Sequence, residues 1–217
     1  MKKEDITGLL MYLIILAVAL VFGLTVLQPH FANSTFKSGF LYALFIAGAI
    51  AIGVISAALL FETGHVLGAI AGKYRILSVC LLRLMFLKED GKLKFKLGQF
   101  DGLTGETKVL PKSEKSNPRP FLLLGTLFNS LWLVGCIVVF YFNKDLSKAN
   151  GDMAYFFLSI GVVVGICVVY NIVPFKLDSI NDGYRLAMIS NSRNKEAFNH
   201  IAISRVKGSL WISFMTS

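Results

Sequence analysis

"SGFLYALFIAGAIAIGVISAALLFETGHVLGAIAGK" occupies residues 38–73, and between Lys37 and Lys73 only Glu62 carries a formal charge. A bilayer core of about 30 Å asks for roughly 20 apolar residues in a helix, and this stretch exceeds that. It reads as a membrane-spanning helix over 38–61 that continues to Gly72. Eleven residues at 1.5 Å each place Glu62 roughly 16 Å along the axis from the first charge after it, Lys73. A carboxylate at such depth is costly and marks a candidate site.

Three further runs without charge have spanning length: Ile6–Phe36, Pro120–Asn143 and Met153–Phe175. Of the 217 residues 55% are hydrophobic and only 16% charged, well below the charged quarter of an ordinary soluble domain. The mean hydropathy is +0.65. The expectation is an all-α integral membrane protein of about four transmembrane helices, spanning about 6–27, 38–61 continuing to 72, 120–142 and 153–175. The first span is longer than a signal-peptide core and lacks a small-x-small cleavage site, so it reads as a retained anchor. A membrane domain over 1–184 would carry a cytoplasmic loop over 73–119. Residues 185–217 would form a cytoplasmic tail of amphipathic helix.

The net charge of +9 is unevenly placed. Eleven Lys/Arg against five Asp/Glu lie between Lys73 and Arg119, and six more Lys/Arg follow the fourth run. The loops Gln28–Lys37 and Asn143–Asp152 are poor in them. Basic loops stay inside, which puts the middle loop, the tail and both termini in the cytoplasm. The basic excess is thus a topology signal, with attraction to anionic lipid heads second. No nucleic-acid module accompanies it, so a nucleic-acid partner is not expected. Cys80, Cys136 and Cys167 form no CxxC pair and predict neither a zinc ribbon nor a disulfide framework.

Within the loop, Lys88-Glu89-Asp90-Gly91 joins two apolar runs as a hairpin turn would. Leu93, Phe95 and Leu97 alternate with Lys92, Lys94 and Lys96, the period of a half-buried strand. This predicts a small membrane-associated β hairpin, one face on apolar material and the other on water and phosphate heads. Residues 100–120 read as irregular loop. In the second run Ala49, Gly53 and Ala57 recur every fourth residue, a spacing that lets helix backbones approach closely.

Two polar clusters stand out. Glu62 and His65 lie three apart and share a helical face. The fourth run ends in "YNIVPFKLDSINDGYR", with Asn171 and Pro174 inside apolar sequence, where Pro bends a helix, and Asp178 and Asp182-Gly183 beyond. Spans two and four run in the same direction, so both clusters fall at the cytoplasmic side.

These motifs, Glu62-x-x-His65 followed by Asn171-x-x-Pro174 and Asp182-Gly183, resemble the site-2 protease family of intramembrane zinc metalloproteases. The resemblance covers about 38–184 and is closest to small four-span bacterial members, implying a bacterial cytoplasmic membrane. It implies a zinc held by two histidines and an aspartate, a glutamate base and a β hairpin for substrate. By position, His65 and Asp182 match two metal ligands, Glu62 the catalytic glutamate, and Asn171 and Pro174 the substrate-positioning element. Phe61 stands where the family has its first histidine. A catalytic zinc keeps three protein ligands and a water, and phenylalanine cannot coordinate. The expectation is therefore a degenerate member, binding hydrophobic or membrane-anchored peptides without a complete zinc site. An active metalloendopeptidase would need another ligand, with His200 or Asp178 as candidates. A non-proteolytic four-helix scaffold, immunity protein or transporter subunit is the third reading.

Overall fold

In the computed structural model, residues 3–81, 84–89, 92–97, 105–113, 116–174, 181–190 and 199 are described. Four helices are long and apolar enough to cross a membrane: Leu10–Asn33, Gly39–Ala71, Pro118–Asn143 and Lys148–Ile172. A small antiparallel sheet accompanies them. The chain divides into two compact units, Met1–Ala57 with Asn129–Asn181, and Ala58–Phe128 with Asp182–Ser217.

In the first unit, α1 (Lys3–Phe22) passes through a π-helical turn, Gly23–Leu27, into α2 (Gln28–Asn33). The cause is Pro29. It has no N–H to give to the fourth residue back, and its ring crowds that carbonyl, so one wider turn absorbs the misfit. Helical backbone therefore runs beyond the expected boundary at 27. The first half of α3 (Gly39–Ala71) packs on α5 (Lys148–Ile172) through the small-residue face. Ala49 and Ala57 are buried with Ile160, Val164 and Val168. A Cβ on Gly53 would stand 3.1 Å from the Cβ of Val163. Trp132, on α4 (Pro118–Asn143), donates its indole N–H to Ser56 Oγ at 3.1 Å.

Two expectations about the fourth run need correction. Its helix begins at Lys148, where the Ser147 side chain accepts from the Asn150 amide, so the preceding loop is shorter than Asn143–Asp152. Pro174 does not bend the helix either. The helix stops at Ile172 and Val173 is extended, as expected of a residue preceding proline. Asn181 then caps the end, its amide donating to the carbonyls of Tyr170 and Val173 at 2.5 and 2.7 Å.

In the second unit, α3 ends at Ala71 and the chain turns through Gly72 and Lys73, the latter at φ 61. The sheet begins at once. Its strands are β1 (Tyr74–Leu81), β2 (Leu84–Glu89), β3 (Lys92–Leu97) and β4 (Glu106–Pro111), in the order β3-β2-β1-β4. The expected hairpin exists as β2 and β3, with Phe86 opposite Phe95 and Leu84 opposite Leu97. It is half of a four-stranded sheet, because β1 and β4 pair from Tyr74–Pro111 to Cys80–Glu106. The segment read as irregular loop thus contains a strand. Of the tail, α6 covers Asp182–Met188, and residues 191–198 and 200–217 lie outside the described ones.

The second core joins Ala69, Tyr74, Phe121, Leu122 and Ile189. Tyr74 is 1% exposed, and its hydroxyl donates to Asn199 Oδ1 at 2.5 Å. Burial pushes the pKa of that hydroxyl up. A raised folded-state value means stability is whole below the unfolded tyrosine's pKa, about 10, and declines as pH rises above it. Chemical unfolding of the chain and of Tyr74→Phe from pH 8 to 11 should therefore diverge. The wild-type chain should lose up to about 1.4 kcal/mol more per pH unit above pH 10; parallel curves would show that Tyr74 is not buried as described.

Candidate functional site

Glycine decides how the polar residues of the second unit are held. A Cβ on Gly64 would collide with the Leu124 carbonyl and Gly125, and one on Gly68 with the Pro120 carbonyl and Phe121. Without side chains there, α4 lies directly on α3. That contact sets Phe121 against the His65 ring, with centroids 4.8 Å apart and planes at 27°. Phe61 meets the same imidazole edge-on at 4.3 Å, and its ring fills the space over Gly125. His65 is therefore walled by two aromatic rings.

Carboxylates take both of its nitrogens. Nε2 lies 2.7 Å from Asp182 Oδ2 in an aligned hydrogen bond, and Nδ1 lies 3.7 Å from Glu62 Oε2. All three side chains are less than a tenth exposed. Asp182, in the first turn of α6, also has Arg185 Nη1 3.5 Å from Oδ1. Glu62 Oε2 accepts a short hydrogen bond from the Thr107 hydroxyl on β4. Gly105, just before that strand, packs so closely that a Cβ would overlap the Glu62 carboxyl. Burying a carboxylate is tolerable only when its oxygens are hydrogen-bonded, and Thr107 supplies that partner.

Glu62, His65 and Asp182 thus meet in one buried cluster, with Phe61 against it. Asn171 and Pro174 belong to the first unit, where the Asn171 amide donates to the Cys167 carbonyl at 2.9 Å and Pro174 is exposed. The alternative ligands Asp178 and His200 lie outside the described residues. Thr107, Gly105 and Phe121 were not marked by any motif. The only hint of Thr107 was the weak alternation of Thr107 and Val109 with charged neighbours.

The residues present do not fit a zinc ion. A zinc on His65 Nε2 would lie 2.0–2.1 Å out along the ring's lone pair. The Nε2–H direction already points at Asp182 Oδ2, 2.7 Å away, so an ion there would first have to open this hydrogen bond. The neighbouring side of the imidazole holds the Phe61 ring, which has no donor atom. Among the described residues no group of three or more His, Cys, Asp or Glu is arranged to hold a metal. What the arrangement can do is share protons along a carboxylate–imidazole–carboxylate chain closed by a hydroxyl.

The chain matches no family model, no curated protein and no solved structure.

Thr107→Val keeps the shape of the side chain and removes the donor to Glu62. Leaving a buried acceptor unsatisfied costs about 1–3 kcal/mol, so the variant should unfold at correspondingly lower denaturant. Asp182→Ala should cost more, about 3–5 kcal/mol, because it removes the carboxylate partner of the buried His65. Equal, negligible losses in both would mean the cluster is open to water.

Proposed function

We propose that the chain is a site-2-protease-like intramembrane protein that keeps the polar cluster of a protease without its metal centre. Its role on this reading is to bind hydrophobic or membrane-anchored peptides. The observation that carries it is the direct His65–Asp182 hydrogen bond at 2.7 Å with the Phe61 ring on the same imidazole. On this reading the hydrogen bond stands where the family's metal would stand, and an aromatic ring replaces its first histidine.

The sheet supplies the peptide-binding element of this reading. Its two edge strands are β3 and β4, and an extended peptide can add to an exposed edge by backbone hydrogen bonds. The β3 edge, 92–97, is the one expected from sequence, with Phe95 and Leu97 exposed. The β4 edge is favoured by the contact of Thr107 with Glu62, because a strand added there would run past the buried cluster. The location in a membrane rests on the four long apolar helices.

An active zinc metalloendopeptidase remains the second reading, and it requires Glu62 as base beside a metal with ligands beyond His65 and Asp182. The two readings separate on metal content. The chain purified through a chelator should retain no zinc. Phe61→His places imidazoles at positions 61 and 65, four apart on one helical face, and should gain about one tightly held zinc, the three-ligand complement of a catalytic site. Asp182→Ala in that background should remove it. Chelator-resistant zinc in the unaltered chain, lost on His65→Ala, would overturn the degenerate reading. Peptide binding is tested with a synthetic membrane-anchored, Val/Thr-rich peptide in nanodiscs. Its N-methylated counterpart, unable to pair as a strand, should lose at least tenfold in affinity; equal binding of the two would remove the strand-addition model.

A further inference from the structure

The first unit holds a second buried polar cluster that the reading above does not use. Asp152, on the second turn of α5, is 3% exposed. Its Oδ2 accepts from the Thr35 backbone N–H at 3.1 Å and from the Thr35 hydroxyl in a short bond. Its Oδ1 lies 3.0 Å from His30 Nε2, an ion-pair distance without hydrogen-bond alignment, and among the described residues neither atom has another partner. The two approach closely but off the line of the ring's N–H. Both side chains are more than nine-tenths buried. A buried polar atom without a partner asks for an explanation, and an unseen ion or water is the usual one.

The surroundings hold both groups in place. The His30 ring stacks on Tyr155 with centroids 3.8 Å apart and planes at 8°, and Tyr42 stands 6.0 Å away. Thr35 holds Oδ2, which leaves Oδ1 facing His30. His30 also lines a cleft with Thr25, Asn33, Lys144 and Tyr155. Lys144 is engaged elsewhere, 3.8 Å from the Asp145 carboxylate and over the Tyr141 ring. Asn33 follows His30 by three residues on α2 and lines the same cleft.

We infer that His30 Nε2 and Asp152 Oδ1 form a binding site for a divalent transition-metal ion, completed by water from the cleft. Metal–nitrogen and metal–oxygen distances near 2.1 Å convert a 3.0 Å separation into a ligand–metal–ligand angle of roughly 90°. That angle suits six-coordinate ions of the cobalt and nickel class, for which imidazole and carboxylate are fitting ligands. The contrast with His65 is directional. There the nitrogen points at the oxygen and a proton fills the gap, whereas at His30 the lone pair passes beside Oδ1. Thr35 acts as a positioning residue, since partners that orient a ligand typically contribute 10–100-fold in metal affinity.

The probe is Co²⁺ added to the metal-free full chain in nanodiscs, with bound metal measured after equilibrium dialysis. One ion per chain is expected. It should be lost in His30→Gln and Asp152→Asn, weakened 10–100-fold in Thr35→Val, and retained in His65→Ala and Asp182→Asn. Those last two variants keep this test separate from the zinc test above. Should the His30 and Asp152 variants fail to fold, the unaltered chain still decides through carbethoxylation of His30 mapped by mass spectrometry. Co²⁺ must slow that reaction at least tenfold. No bound ion, an ion that persists without His30 and Asp152, or a His30 reaction indifferent to Co²⁺ overturns the site and leaves a purely structural pair.

Discussion

Backbone meets backbone where Gly64 and Gly68 of α3 touch α4 around Pro120–Gly125. Any side chain at those glycines would push the helices apart, since the nearest atoms are carbonyls and Cα atoms that cannot swing away. The polar cluster depends on that contact. It puts Phe121 on one side of His65, lets the Phe61 ring lie over Gly125, and so turns the imidazole towards two carboxylates. Small residues at helix interfaces work this way in membranes, where close packing replaces the hydrophobic drive that water supplies. In the first unit Ala49, Gly53 and Ala57 perform the same service against α5.

How much of this was legible follows from the period and length of each signal. The four apolar helices could be read directly, because no other element uses more than 20 uncharged residues. The β3 strand was legible from the alternation of Leu93, Phe95 and Leu97 with lysines. β1 was not, since "YRILSVCL" is a short apolar run without alternation, a pattern that periodicity cannot assign. β4 was hidden for the opposite reason: "ETKVLP" is short and polar, and only its pairing with β1 makes it a strand. Propensity in sheets is largely a matter of neighbours.

Within the candidate cluster, Glu62 and His65 followed from three-residue spacing on a helix, and Asp182 from a motif far along the chain. Thr107 and Phe121 belong to no motif, because their roles arise from tertiary contact alone. The pair of His30 and Asp152 was equally invisible. A histidine after a proline and an aspartate near a helix start are ordinary residues until 121 intervening positions are folded between them.

The free edge at β3 carries a consequence for crowding. Lys94 and Lys96 project to one face of the strand, while Phe95 and Leu97 project to the other. An edge that is unpaired among the described residues and carries exposed apolar side chains invites a second copy to extend the sheet. Antiparallel pairing of two β3 strands would, however, set the lysines of one copy beside those of the other on a shared face, and like charges directly opposite are destabilising. The same strand therefore repels its own kind, so copies of this chain can crowd together without their β3 edges fusing.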